Sequence, residues 1–270
     1  MKKFLKAACF LILTGFSFYF TEKTAILVRN QDPIMQAIKE ASVEMNHEAV
    51  NASITKDYII PGINGRRINE IKSLMQMKEN NVFNSLFLVT ESVKPKVSLN
   101  DNKDKIIIKG NPKKGAVSFI IESKDTPSYT YLKSHNIQAS LLTKSDTYAK
   151  DETLEQLNND FENYKKLENK LNKAKTNTNI CILNNYNKEI CLKYNKYLVE
   201  PSITLNKSNL VDSKSKIESG SIILLSKSTT TKELEHIINY LTSKNLKIVT
   251  LSSLISEWFQ DMILSMYSNN

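Results

Sequence analysis

Three histidines, three cysteines and a set of loop carboxylates are the side chains in this 270-residue sequence best suited to chemistry. His47, His135 and His236 are far apart, and no His-x-x-x-His or Cys-x-x-Cys spacing makes a metal-ligand pattern. His47 is expected on a polar helix face, His135 at a helix C-terminus, where a cation is favoured, and His236 within a helix. Each therefore reads as structural or surface. Glu122 and Asp125 follow an apolar run ending at Ile121, and Asp146 and Asp151 lie in the next polar stretch. Such carboxylates can act as general acids and bases if brought together, although a loop carboxylate is ordinarily just solvated. Cys9 sits in an apolar N-terminal segment; Cys181 and Cys191 suit small core positions, with a disulfide as the alternative outside the cell. Tyr129, Tyr131, Tyr148, Tyr186, Tyr194 and Tyr197 offer flat apolar faces with a polar tip, a shape that suits a sugar ring. Half-buried packing is the competing reading for each of them.

The N-terminus sets the compartment that these residues work in. Lys2, Lys3 and Lys6 precede an uncharged apolar run from Ala7 to Phe20, the pattern of an export signal. No small-x-small cleavage site follows, so an uncleaved signal anchor over residues 1–28 is expected. The leading lysines hold the N-terminus in the cytoplasm and place the bulk of the chain outside the cytoplasmic membrane. The net charge is +9, yet the lysines are scattered and arginine is rare, which argues against nucleic acid and for a polyanionic envelope. With hydrophobic residues at 41% and only 6 Gly and 6 Pro, the remainder should be folded without long linkers.

Periodicity predicts helices over 32–48 and 68–78, a strand over 53–60, a strand over 86–90 and a hairpin of 97–99 with 106–108. Residues 29–112 thus read as a small α+β spacer. From Ala116 strands and helices alternate: strands at 116–121, 137–142, 180–183, 197–199, 221–225 and 247–250, and helices at 127–134, 153–175, 187–194, 231–243 and 252–267. Alternation with unbroken apolar strands means an α/β fold with a largely parallel, doubly covered sheet or barrel.

Three stretches carry a resemblance. They are KGAVSFIIES at 114–123, YLKSHNIQASLL at 131–142, and SGSIILLSKS with LKIVTLSSLISE between 219 and 257. In order and spacing, 113–270 resembles the polysaccharide deacetylase (NodB homology) family, a distorted β/α barrel of the glycoside hydrolase/deacetylase type. The resemblance implies hydrolysis of N-acetyl groups on sugars by a metal-bound water, with two aspartates and three histidines in the machinery. Here the two aspartates fall on Ile120 and Ile121, the late histidine on Ser226, and the start of the arginine motif on Leu183. The His-x-x-x-His motif has no counterpart at 144–153. Neither metal ligation nor proton transfer is open to isoleucine. A degenerate member, a pseudoenzyme without cofactor or metal, is therefore expected. Glu122, Asp125, Asp146, Tyr148, Asn185 and Tyr186 are its expected cleft residues, with the other tyrosines framing the cleft. Its expected partners are a cell-wall glycan or an envelope protein, with the membrane held through the N-terminal helix. Two alternatives stay open: an active deacetylase of wall polysaccharide working through other residues, and a structural envelope scaffold.

Overall fold

The computed structural model describes residues 2–150 and 152–258. In chain order it opens with α1 (Lys2–Gln31), α2 (Pro33–Met45), β1 (Ser53–Ile54), β2 (Tyr58–Ile60) and β3 (Gly65–Ile68). These are followed by α3 (Glu70–Lys78), β4 (Thr90–Val93) and β5 (Ile106–Ile107). The alternating part comprises β6 (Ala116–Ile121), α4 (Pro127–Ser134), β7 (Ser140–Thr143), β8 (Glu155–Asn158), α5 (Tyr164–Ala174), β9 (Ile180–Ile182), α6 (Lys188–Lys193) and β10 (Tyr197–Val199). It closes with β11 (Ile203–Leu205), α7 (Leu210–Lys216), β12 (Ile222–Leu225), α8 (Thr231–Ser243), β13 (Lys247–Ile248) and α9 (Leu251–Ile255).

The chain divides into two compact units, Met1–Glu48 with Gly65–Val93, and Ala49–Asn64 with Lys94–Asn270. Residues of the expected 29–112 spacer are therefore shared between the two. In the first unit α1 continues past the expected anchor to Gln31, and its segment Phe10–Gln31 is long and apolar enough to cross a membrane. Its 22 residues rise about 33 Å, matching a hydrocarbon core of roughly 30 Å. Asp32 caps α2 by accepting from Ile34 N–H at 2.9 Å and also pairs with Lys78 of α3. Ile34, Met35 and Ile38 pack on Leu74 and Met77, the pairing that the 3.6-residue period predicts. The β3–β4 ladder is antiparallel. A 3-10 turn at Ser85–Phe87 replaces the strand expected over 86–90, because Asn84 caps Leu86 N–H at 2.9 Å.

In the second unit, six strands form a parallel sheet in the order β11-β12-β6-β7-β8, with β13 also on β6. Five form the other sheet, β1-β2-β5-β10-β9, parallel except for the β1–β2 hairpin. Ile59, Ile107, Ile180, Ile182 and Val199 of this sheet share one core with Ala116, Ile120, Leu157 and Ile222 of the first. All six residues of β6 are buried, as a strand covered on both faces requires. Alternation sends Ile120 into this inter-sheet core, whereas Val117, Phe119 and Ile121 join a second core with Leu132 of α4 and Leu234, Ile237 and Leu241 of α8.

Several sequence expectations are corrected here. The run 53–60 is a hairpin, turning at 55–57, not one strand. The hairpin expected at 97–108 does not form; β5 lies between β2 and β10 and pairs in parallel with both. The helix expected over 153–175 begins only at Tyr164, because β8 occupies its start and pairs with β7 in register Ser140↔Glu155 to Thr143↔Asn158. The strand β11 and helix α7 were missed. The closing helix ends at Ile255; Ser256–Trp258 are not helical, and the expected remainder falls mostly outside the described residues.

The abundant asparagines have a structural use. Asn136, Asn195 and Asn245 adopt left-handed φ of 53–54° at the ends of α4, α6 and α8. There the next N–H reaches back five residues: Ile137 to Leu132, Lys196 to Cys191 and Leu246 to Leu241, at 2.9–3.0 Å. These are Schellman turns, in which Asn tolerates the conformation nearly as glycine does, each feeding the following strand. Gly220, at φ 92°, is needed for a different reason, since a Cβ there would sit 2.3 Å from Gly110 O.

Candidate functional site at the strand C-termini

Parallel strands deliver their C-terminal ends to one edge, where folds of this kind build their sites. At the end of β6, Ile120 and Ile121 are completely buried in the two cores. Glu122 follows, and its Oε2 accepts from Lys227 N–H at 2.9 Å, tying β6 to its neighbour β12. Ser226 stands beside it, sharing its hydroxyl with Ser228 at 2.9 Å and donating its N–H to Leu205 O. Asp125 is exposed, with Ser123 Oγ 3.4 Å away.

Asp146 lies elsewhere along the edge. It lines a pocket of about 510 Å³ between the ends of β7 and β8, together with Lys144, Asp160, Glu162 and Lys166. Asp160 was not anticipated from the sequence. It is buried at 7% exposure and accepts from Ser145 N–H at 2.9 Å and Asn163 N–H at 3.0 Å. Burial pushes its carboxyl up, but the Ser145 and Asn163 hydrogen bonds outweigh this and hold it below the usual range. Such a carboxylate braces a loop. The other buried acid nearby, Glu152, receives Tyr129 OH at 3.0 Å and pairs with Lys124 and Lys133, both at 3.2 Å. It pins the segments after β6 and β7 together. Asp151 lies outside the described residues.

The tyrosines divide. Tyr148 is half-buried under Lys170, whose Nζ is 5.5 Å from the ring centroid. Tyr129 serves Glu152, Tyr131 stacks on His135 at 4.1 Å, and Tyr194 packs on Tyr164 at 4.6 Å. Asn185 and Tyr186 are exposed in the turn after β9, and Tyr186 is 92% exposed. Tyr197 is not at this edge: it opens β10 at the opposite end of the sheet. Of the histidines, His135 caps α4 and His236 is exposed on α8, while His47 lies beyond α2 in a bridge to Arg66 instead of on a helix face.

Cys181 and Cys191, for which the sequence favoured core positions and left a disulfide open, are fully buried and form a disulfide with Cα atoms 5.8 Å apart. It ties β9 to α6, and Leu183 packs against it in a small cluster with Leu198. The Leu183–Tyr186 turn therefore rests on a crosslinked base.

The donor set does not fit a catalytic metal. Among the described residues no group of three or more His, Cys, Asp or Glu converges to hold an ion, and the strand-end positions offer isoleucine, leucine and serine. Glu122 and Asp146 belong to separate groups along the edge.

This architecture has solved counterparts. A CE4 family pseudoenzyme from Bacillus anthracis superposes with a TM-score of 0.57, over 84% of this chain and 96% of its own, at 20% identity. The chain has the CE4 deacetylase fold. A mutant of that pseudoenzyme with restored enzymatic activity superposes at 0.53, covering 83% of this chain and 98% of its own, again at 20% identity. In sequence, the chain is 33% identical to protein YlxY of Bacillus subtilis over 44% of its own length, and it spans 42% of that protein. No family model matches it.

Proposed function

We propose that this chain is a catalytically inactive CE4-type protein, tethered outside the cytoplasmic membrane, that binds a cell-wall glycan. The observation that carries this reading is the pair Ile120 and Ile121. On the resemblance they stand where the family keeps its general base and first metal ligand, and both are sealed in hydrophobic cores. With Ser226 in place of the late histidine, neither the activated water nor the proton donor of that chemistry has a group to serve it. The pseudoenzyme of the same fold from Bacillus anthracis is a precedent for loss of activity on an intact scaffold. The distorted barrel belongs to this reading as well, since the two sheets enclose one core.

Export is supported by α1 and by the disulfide, because such bonds persist in oxidising compartments. An acetate-release assay with purified chain and N-acetylglucosamine oligomers, with and without added Zn²⁺, tests the reading. The expected result is oligomer binding with acetate release at background. Metal-dependent turnover would replace it with the enzyme alternative.

A further inference from the structure

A second concavity lies at the opposite end of the parallel strands from the degenerate edge. It measures about 580 Å³ and is formed by segments that lead into β5, β9 and β10 and by the residues after α9. Tyr197, at the first position of β10, lines it, and Lys103 Nζ sits 5.5 Å from the Tyr197 ring centroid. Trp258, 65% exposed, supplies a second aromatic surface. Asn100 and Asn179 bring exposed side-chain amides, and Glu257 brings a carboxylate whose Oε1 accepts Leu99 N–H at 2.6 Å. Burial, and then the charge of Glu257, push the Tyr197 hydroxyl above its usual range, so it stays a neutral hydrogen-bonding group. Its lining cations and anions, Lys94 against Asp101 and Glu257, are few and mixed, which disfavours a polyanion.

We infer that this groove, not the old catalytic edge, is a binding site for an uncharged oligosaccharide. Flat aromatic surfaces can stack on pyranose faces, while amides and a carboxylate pair with the ring hydroxyls. The edge at the strand C-termini offers less: Tyr129, Tyr131 and Tyr194 are taken up by Glu152, His135 and Tyr164, Tyr148 lies under Lys170 as Tyr197 lies under Lys103, and the chain's one tryptophan is in the groove. The inference rests on the glycan-binding reading above and assigns it a place.

The chain has a single tryptophan, so its fluorescence reports on this groove alone. Full-length protein in detergent micelles is titrated with N-acetylglucosamine oligomers, in parallel with calorimetry. A saturable change in tryptophan emission is expected, weakened roughly tenfold by Asn179→Ala or Trp258→Phe (the latter read by calorimetry) and unchanged by Tyr186→Ala. Calorimetric binding that leaves the tryptophan silent and is lost in Tyr186→Ala would overturn the groove while keeping the glycan reading. No binding in either measurement would overturn both. Acetate release would overturn the inactive reading and leave the groove standing.

Discussion

Single residues carry both the proposed loss of chemistry and the hold of the fold. On the proposed reading, Ile120 and Ile121 replace the site's aspartates without harm to the fold, because two buried carboxylates would need partners whereas two isoleucines need only the core. Charge is retained where the structure does provide partners. Lys196, 2% exposed at its side chain, pairs with Glu168 at 2.6 Å and donates to Thr178 O at 2.7 Å. Replacing it with methionine leaves Glu168 buried without its cation, and an unfolding free-energy loss of about 3 kcal/mol is expected by denaturant titration. A loss below about 1 kcal/mol would mean that Asn177 and Asn158 satisfy Glu168 unaided. At this scale the sequence was partly legible. The isoleucines and the serine at the positions that the resemblance assigns to aspartate and histidine could be read directly, and Glu122 and Asp146 follow β6 and β7 in the chain. Asp160 and Glu152 could not be found, because their roles depend on backbone N–H groups and lysines brought in by distant loops.

Elements whose pattern has one solution were read to the residue. These are β6, apolar but for Ser118 and buried throughout, α4, opened by Thr126-Pro127, and α8, opened by the Thr230–Glu233 capping box. Failure came where pairing overrides pattern. Leu154 and Leu157 continue the helical spacing of α5 backwards, yet β7 offers an open edge, so the segment pairs as β8. Parallel pairing also changed the partners of 106–108: the strand expected there as half of a hairpin is β5, held in parallel by strands from both sides. The disulfide, open as an alternative in the sequence, could not be decided there, because only the β9–α6 geometry brings its two cysteines together. Its loop, with a sequence separation of 10, predicts a loss of about 3 kcal/mol in the Cys181→Ser, Cys191→Ser double variant. Mass spectrometry of the non-reduced protein should find the two sulfurs bonded; free thiols at both would remove this support for export.

For the molecule as a whole, an apolar helix long enough to span a bilayer and an oxidised pair in the second unit fit the same topology. Protease added to intact protoplasts should therefore digest the second unit, and protection until lysis would place it in the cytoplasm. The α/β class and parallel strands were legible because alternation of elements leaves few other solutions, but the division into units was not, since residues 49–64 join strands far along the chain. The proposed reading keeps the CE4 fold and gives up its chemistry, and metal binding tests that reading most directly. Purified chain equilibrated with Zn²⁺, freed of excess and analysed by elemental mass spectrometry should carry far less than one ion per molecule. One tightly held ion per chain would contradict the account and make this protein a deacetylase candidate with a rebuilt site.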